Sequence, residues 1–307
     1  MSEAGPTEIN ASTRYGAVFG HPIQHSASPA MQNAGIAALG LNWRYLAFDV
    51  SPDNLRRAIN GAKALKFIGL NLTVPHKLPA LEIVDELDAS AKTWGAVNTV
   101  RFEARDTHGQ WQPLAHFSSN VPDEIRATGF NTDADAIARA LREDLDLQLL
   151  RGAGVLLLGA GGAGRVTALK LASEGVGTLF LVNRTAQKAE EVAAEIRRRF
   201  PRQELVVGYP TNRVDLMINA TSIGLKPEDP FPVDRKQFPM KRTRAVYDLI
   251  YRPAETPLLQ AAKAAGCRAA NGLGMLLHQG AKALEIWSGK PAPLEAMRRA
   301  LEKNVYG

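Results

Sequence analysis

The sequence predicts an α/β protein in two parts, one of them a doubly wound parallel sheet. Three observations predict it. Apolar runs of strand length alternate with helix-length amphipathic stretches along most of the chain, the pattern of a parallel sheet covered on both faces. One apolar run leads straight into glycines at 159, 161 and 164, in VLLLGAGGAGR from Val155 to Arg165. The chain has 307 residues, 45% hydrophobic and 22% charged, enough for two ordinary domains with large cores.

Composition narrows the function classes. No apolar run has the length of a membrane-spanning helix. The opening MSEAGPTEINAST is polar and lacks the apolar core of a signal peptide. It reads as a frayed tail on a cytoplasmic protein. A single cysteine, Cys267, rules out a framework of internal disulfides and reads as a structural thiol near a helix end. The formal charge of +6 is mostly dispersed, which argues against nucleic acid as partner. Its one dense cluster, Arg197–Arg199, falls at the end of a predicted helix, where cations favour the dipole.

In order, Arg14–Gly20 is a strand. Ser28 before Pro29 predicts a hydroxyl-capped helix start, and that helix runs to about Leu39. Trp43–Val50 is a strand. Ser51-Pro52 repeats the start signal before a helix carrying Leu55, Ile59 and Ala62 at helical spacing. Phe67–Thr73 is a third strand, ending in NLTVPHK, where the proline imposes an extended or turn conformation. Helical stretches follow at about His76–Leu87 and Ala89–Gly95, then a strand at Val97–Phe102. Residues 103–128 are polar, with Gly109, Pro113 and Pro122 and no sustained period. They read as an inserted surface excursion with room for its own hairpin. GFNTDAD then leads into a helix ending near Leu145.

From Ala153 the alternation is regular: strand, glycine loop, a helix beginning near Arg165, a strand at Thr178–Val182, and a helix capped by Thr185. Short strands follow near 205–207, 216–219 and 245–249, and a helix-rich piece spans 272–305. The glycine loop comprises Gly159, Ala160, Gly161, Gly162, Ala163 and Gly164. Its first glycine makes the tight turn, its second admits a pyrophosphate, and its third lets helix and strand pack closely. The helix N-terminus offers free N–H groups to the phosphates.

About twenty residues on, a strand that favours NAD carries an acid for the ribose 2′-hydroxyl. Here the residues are Asn183, Arg184 and Thr185. A guanidinium there suits a 2′-phosphate, with Arg165 and Lys188 adding positive field, so NADP is the expected cofactor. The bland alternative makes Arg184 an exposed turn residue.

Hydride transfer at a carbinol needs a proton acceptor or donor beside the reacting oxygen. Polar stretches at predicted strand ends supply candidates: Ser26 to Ser28, Asn71 to Lys77, Asn98-Thr99 and Gly129 to Asp133. Lys77 is a candidate acid–base group and Asp133 a candidate to orient it or the substrate. The competing readings are a solvated lysine and a helix-capping aspartate. His21 and His25 are four apart, but Pro22 opposes a regular helix and no third ligand completes a set, so no metal is expected. His76 receives no role. The apolar positions of the last helices (Leu276, Leu277, Leu284, Ile286, Trp287) read as core.

Taken together, GHPIQHSASPAMQN from Gly20, NLTVPHK, AVNT from Ala96, NTD, the glycine loop, NRT, NATSIG from Asn219, DLIYRP from Asp248 and NGLGMLLHQGA from Asn271 resemble the shikimate dehydrogenase family, in order along nearly the whole chain. The resemblance implies NADP-linked interconversion of shikimate and 3-dehydroshikimate. It implies an N-terminal α/β substrate domain (1–132 with 272–307, 103–128 being the insertion), a Rossmann NADP-binding domain (133–271), and a cleft between them. It implies Lys77 and Asp133 as the catalytic pair. Ser26, Ser28, Thr73 and Tyr251 would meet the substrate carboxylate, and Asn98 and Gln279 its ring hydroxyls. Thr221 and Ser222 of NATSIG would serve the cofactor, with Gly272 and Met275 near the nicotinamide. The implied protein is a monomer or homodimer acting on a small molecule.

Departures from the family pattern are Ala136 for a usual glycine, Gln32 for a commoner histidine, Leu225 for a commoner methionine, and the 103–128 excursion. Two other functions stay open from the sequence: a quinate or aminoshikimate dehydrogenase of the same family, and a non-catalytic dinucleotide or metabolite sensor.

Overall fold

A computed structural model describes residues 8–117 and 121–307. The first part of the expected N-terminal tail and residues 118–120 of the expected excursion lie outside the described residues. The chain forms two compact units, one of the residues up to Thr132 with Leu277–Val305, the other of Asp133–Leu276 with Tyr306. Among the described residues, no helix is long and apolar enough to cross a membrane.

The first unit contains β1 (Arg14–Gly20), α1 (Ser28–Ala38), β2 (Trp43–Asp49), α2 (Leu55–Ala64), β3 (Gly69–Leu72), β4 (Glu86–Leu87), α3 (Ala89–Trp94), β5 (Thr99–Arg105), β6 (Trp111–Pro113) and β7 (Ile125–Phe130). Its sheet has the order β2-β1-β3-β5-β7-β4, with β6 paired to β5. β1 runs parallel to β2 and β3, whereas β5 is antiparallel to β3, β6 and β7. α2 buries Leu55, Ile59 and Ala62, as its spacing predicts. α3 is capped by the Asp88 side chain on the Ser90 N–H and ends at Gly95, whose φ of 59° is left-handed.

Three expectations change in this unit. The helix expected at 76–87 is instead a 3-10 turn at Pro79–Glu82 followed by β4. Asp85 exchanges bonds with Ala127: its N–H donates to the Ala127 carbonyl at 2.9 Å, and its carboxylate accepts the Ala127 N–H at 2.6 Å. Pairing with β7 draws the segment out of helical form. The 103–128 segment is rooted in the sheet rather than laid on the surface, since β5 and β7 pair from Thr99↔Phe130 to Ala104↔Ile125. Its expected hairpin is present as β5–β6. Ser28 does not cap α1. Ala27 occupies that position, and the Ser28 N–H donates to Ser26 Oγ at 3.3 Å.

The second unit contains α4 (Asp133–Asp144), β8 (Val155–Leu158), α5 (Gly162–Ser173), β9 (Thr178–Val182), α6 (Ala186–Arg199), β10 (Glu204–Val207), β11 (Val214–Asn219), β12 (Thr243–Asp248), α7 (Pro257–Ala264) and β13 (Arg268–Asn271). α8 (Leu273–Ser288) begins here and continues into the first unit, where α9 (Leu294–Tyr306) follows. The sheet is wholly parallel, in the order β10-β9-β8-β11-β12-β13. Counted from β8 this is 3-2-1-4-5-6, the Rossmann arrangement. Leu156, Leu158, Met217, Phe238 and Val246 lie in its core with Leu258 and Leu259 of α7. α7 and β13 escape the sequence pattern because both are short. Cys267 is buried against the carbonyls of Met240 and Thr243.

Candidate active site

The polar stretches of the first unit meet at one edge of its sheet. β1 and β3 end there at Gly20 and Leu72, β7 ends there at Phe130, and antiparallel β5 starts there at Thr99. Asn98 sits at the centre and is 1% exposed. Its amide nitrogen donates to Thr132 Oγ1 at 2.9 Å and to Gln279 Oε1 at 3.5 Å, and its Oδ1 accepts the Thr132 N–H at 2.8 Å. The Asn98 carbonyl accepts the Leu72 N–H at 2.8 Å, next to Thr73. The Lys77 carbonyl accepts the Val97 N–H at 2.9 Å, so the half-buried Lys77 is pinned one residue from Asn98. Sequence reasoning placed Asn98, Gln279, Thr73 and Lys77 in one site, and the fold brings them to one edge.

Asn71, in the same stretch, is spent on the scaffold. Its Oδ1 accepts the Tyr45 hydroxyl at 2.7 Å, and its amide donates to Thr99 Oγ1 at 3.0 Å. His76 is buried and donates from Nε2 to the Val50 carbonyl at 2.8 Å. Burial lowers its pKa, so it packs as neutral imidazole beneath the loop. Gln32 is fully buried on α1 and donates to the Gly280 carbonyl of α8 at 2.9 Å. Asp133 opens α4, a favourable position for negative charge, and is 4% exposed. Ala136 lies buried in the same helix, where an alanine fits without strain.

The second unit carries the cofactor candidates at the carboxyl edge of its sheet. Gly159 (φ 102°) turns the chain out of β8. α5 begins at Gly162, earlier than expected, with Gly161 at the cap and no side chain on its first N–H groups. A Cβ on Gly161 or Gly162 would meet nothing within 4 Å, whereas one on Gly164 would overlap the Gly159 carbonyl oxygen. The loop is therefore open on its outer side and tight on its inner side, which fits a pyrophosphate. Asn183 holds the loop: its Oδ1 accepts the Ala160 N–H at 3.1 Å.

Arg184 follows β9 as an exposed side chain with Thr185 and Lys188. Thr185 stands at the cap of α6 without a side-chain bond. Arg165 departs from expectation. Its guanidinium forms a two-point pair with Glu195 of α6 at 2.8 and 2.7 Å, a carboxylate that Arg199 also contacts at 3.1 Å. Gly272 is closed on one side, because a Cβ there would overlap the Leu249 carbonyl oxygen. The Met275 N–H donates to the Tyr247 hydroxyl at 3.2 Å. Tyr251 is half-buried in the loop after β12.

Sequence reasoning missed one buried group beside these. Asp248 is fully buried at the end of β12, and burial raises its pKa to about 6. The signal available was its place, the last residue of a strand in DLIYRP.

Family models match three stretches of the chain: a shikimate dehydrogenase substrate binding domain over residues 18–100, a shikimate / quinate 5-dehydrogenase over 143–224, and a shikimate 5′-dehydrogenase C-terminal domain over 272–302. A curated relative from Methanopyrus kandleri, named shikimate dehydrogenase (NADP(+)), is 39% identical over 304 residues, 97% of this chain and 98% of its own. A shikimate dehydrogenase solved in complex with NADP+ superposes with a TM-score of 0.83 at 36% identity, covering 99% of each chain. A shikimate 5-dehydrogenase from Thermus thermophilus, solved with NADP(H) and shikimate, gives 0.75 at 34% identity over 94% of this chain and 99% of its own.

Proposed function

We propose a function from one premise: this chain belongs to the shikimate dehydrogenase family. On that premise it is an NADP-dependent oxidoreductase that interconverts shikimate and 3-dehydroshikimate. The Rossmann order of the second sheet and its open glycine loop support the cofactor half of the reading. The observation that carries the substrate half is Asn98, whose side chain joins Gln279 and Thr132 at the sheet edge that also holds Thr73 and Lys77.

Each residue has a chemical part. Gly159 to Gly164 present backbone N–H groups to the pyrophosphate, and Arg184 meets the 2′-phosphate. NADP, when bound, takes up or releases the hydride. Lys77 takes the hydroxyl proton as the carbinol becomes a ketone, and returns it in reduction. Asp133 orients the lysine and the substrate hydroxyl. Asn98 and Gln279 donate to and accept from ring hydroxyls, which amide side chains do simultaneously. The hydroxyls of Ser26, Ser28, Thr73 and Tyr251 donate to the carboxylate; Ser28 is not occupied in capping α1. Thr221 and Ser222 would serve the cofactor, with Gly272 and Met275 near its nicotinamide. The reading includes a cytoplasmic monomer or homodimer, which light scattering distinguishes.

The test is an absorbance assay of purified protein with shikimate and quinate, each with NADP+ and NAD+. Turnover is expected with shikimate and NADP+. The shikimate / quinate family model makes quinate the second acid to assay. Lys77→Ala is expected to lower kcat by about 10²–10⁴-fold with NADP+ affinity nearly intact. Wild-type turnover in that variant removes Lys77 from the reaction, and no turnover of either acid with either cofactor defeats the reading as a whole.

A further inference from the structure

The last residues of three neighbouring strands in the second unit form a polar row. Asn219 ends β11, Asp248 ends β12 and Asn271 ends β13, and strand pairing sets Asn219 beside Asp248 and Asp248 beside Asn271. Asp248 is the hub. Its Oδ1 accepts the Asn219 amide at 3.0 Å and the Ile250 N–H at 3.1 Å, and its Oδ2 accepts the Thr256 hydroxyl at 2.7 Å.

The neighbours extend the hold. Asn219 Oδ1 accepts the N–H and hydroxyl of Thr221 at 3.1 and 2.7 Å, and the Asn219 amide donates to the Ile223 carbonyl at 3.2 Å. Asn271 donates to the Ala254 carbonyl at 2.9 Å and accepts the Leu273 N–H at 3.1 Å, which seats the start of α8. Three segments are thereby tied to one strand-end row: 219–224, 249–256 and the first turn of α8. They carry Thr221 and Ser222, Tyr251, and Met275.

A buried carboxylate is costly to desolvate and is tolerated only where several donors converge on it. A scaffold could close this position with an apolar side chain. A carboxylate that accepts from the end of β11 and twice from the 249–256 loop does something an apolar side chain does not, because it sets the spacing between that loop and Asn219, which in turn holds Thr221.

We propose that Asp248 is a positioning residue for the reaction, holding the Thr221–Ser222 loop and the Tyr251 loop in mutual register at the carboxyl edge of the sheet. This rests on the function given in the preceding subsection. Arg184, where the adenosine 2′-phosphate would bind, follows β9, two strands away from β11 in the sheet. The two ends are therefore separable by experiment.

The test compares Asp248→Asn with wild type in the full chain. 2′,5′-ADP probes the adenosine end, calorimetry measures shikimate binding, and steady-state kinetics probe the reaction. Asparagine keeps the shape and the oxygen facing Asn219 and Ile250, but it removes the negative charge and puts an amide donor against Thr256, whose hydroxyl loses its acceptor. Expected are a kcat lowered about tenfold or more and weaker shikimate binding with raised KM, since small misplacements at a reacting centre cost that much. The Kd of 2′,5′-ADP is expected to stay within about twofold, as its contacts lie elsewhere.

Kinetics and shikimate binding equal to wild type overturn the proposal. So does a parallel loss of 2′,5′-ADP affinity, the mark of general disruption. If Asp248→Asn does not fold, Thr256→Ser and Thr256→Val decide. Serine keeps the donor and should behave as wild type, valine should show the split, and equal behaviour of the two overturns the proposal. A wild-type protein that turns over neither acid overturns the preceding reading and this one with it. Wild-type turnover with unaltered variants overturns this one alone.

Discussion

Trp287 of α8 donates its indole N–H to the Val100 carbonyl of β5 at 3.0 Å, joining residues 187 positions apart. The ring is 1% exposed and lies 5.9 Å from that of Tyr45. A Cβ on Gly69 would stand 2.6 Å from the same carbonyl and would overlap the indole. The end of α8 is thus part of the first unit's core, and β3 must present a glycine to receive it.

Both sides of that contact are testable. Trp287→Phe leaves a cavity and a carbonyl without its donor, and should lower stability by about 2–4 kcal/mol. Gly69→Ala should cost about 1–3 kcal/mol through overpacking. Urea unfolding measures both, and a Gly69→Ala protein as stable as wild type would show that the indole shifts freely.

Glu103, 1% exposed on β5, gives a pH-dependent prediction. Burial alone would raise its pKa, but hydrogen bonds from Arg126, Arg101 and Thr128 outweigh that and hold it below its ordinary 4.5. A depressed carboxyl contributes stability that is present above the unfolded value and lost as pH falls through the folded one. Glu103→Gln should lower stability at neutral pH by about 2–4 kcal/mol, toward the low end for buried pairs because both arginines keep some solvent contact. The gap to wild type should close below pH 4.5. A gap constant from pH 7 to 3 would mean that the charge contributes nothing.

Two arginines near the glycine loop should behave oppositely. Arg184 is exposed after β9, whereas Arg165 is bound to Glu195. Arg184→Ala should weaken NADP+ by about tenfold or more with little effect on NAD+, as expected for a lost charge-assisted phosphate contact. Arg165→Ala should reduce Tm while leaving the NADP+/NAD+ ratio alone. Equal responses of the two cofactors to Arg184→Ala would remove that residue from 2′-phosphate recognition.

The glycines of the loop separate folding from binding. Gly161→Ala meets nothing in the protein, so Tm should hold while NADP+ affinity falls. Gly164→Ala collides with the Gly159 carbonyl and should lower Tm as well. Equal Tm losses in the two variants would contradict this division.

Much of this was legible in advance, for identifiable reasons. β1 and β9 were readable to the residue, since each is an apolar run between clear turn signals. The glycine loop was readable because its spacing is dictated by backbone contact with a phosphate and with a strand. The stretch 76–87 was misread because its helical composition competes with β7, and the Asp85–Ala127 exchange decides the outcome. The excursion was misread because its polar residues pair across strands, with Glu103 between two arginines. Arg165 looked available because Glu195, thirty residues on, is close to it only in the folded sheet.

What the sequence determined by itself is local chemistry: strand and helix periods, the glycine turn, the absence of an acid after β9, and which side chains are able to move a proton or bind a hydroxyl. Those properties depend on residues within one element or one loop. Tertiary structure decided which of them stand together. Asn98 meets Gln279, Trp287 enters the first sheet, and Asp248 joins the end of β11 to the loop after β12 only because strand order and register bring their positions side by side. Register is set by packing over the whole sheet, so no local stretch encodes it.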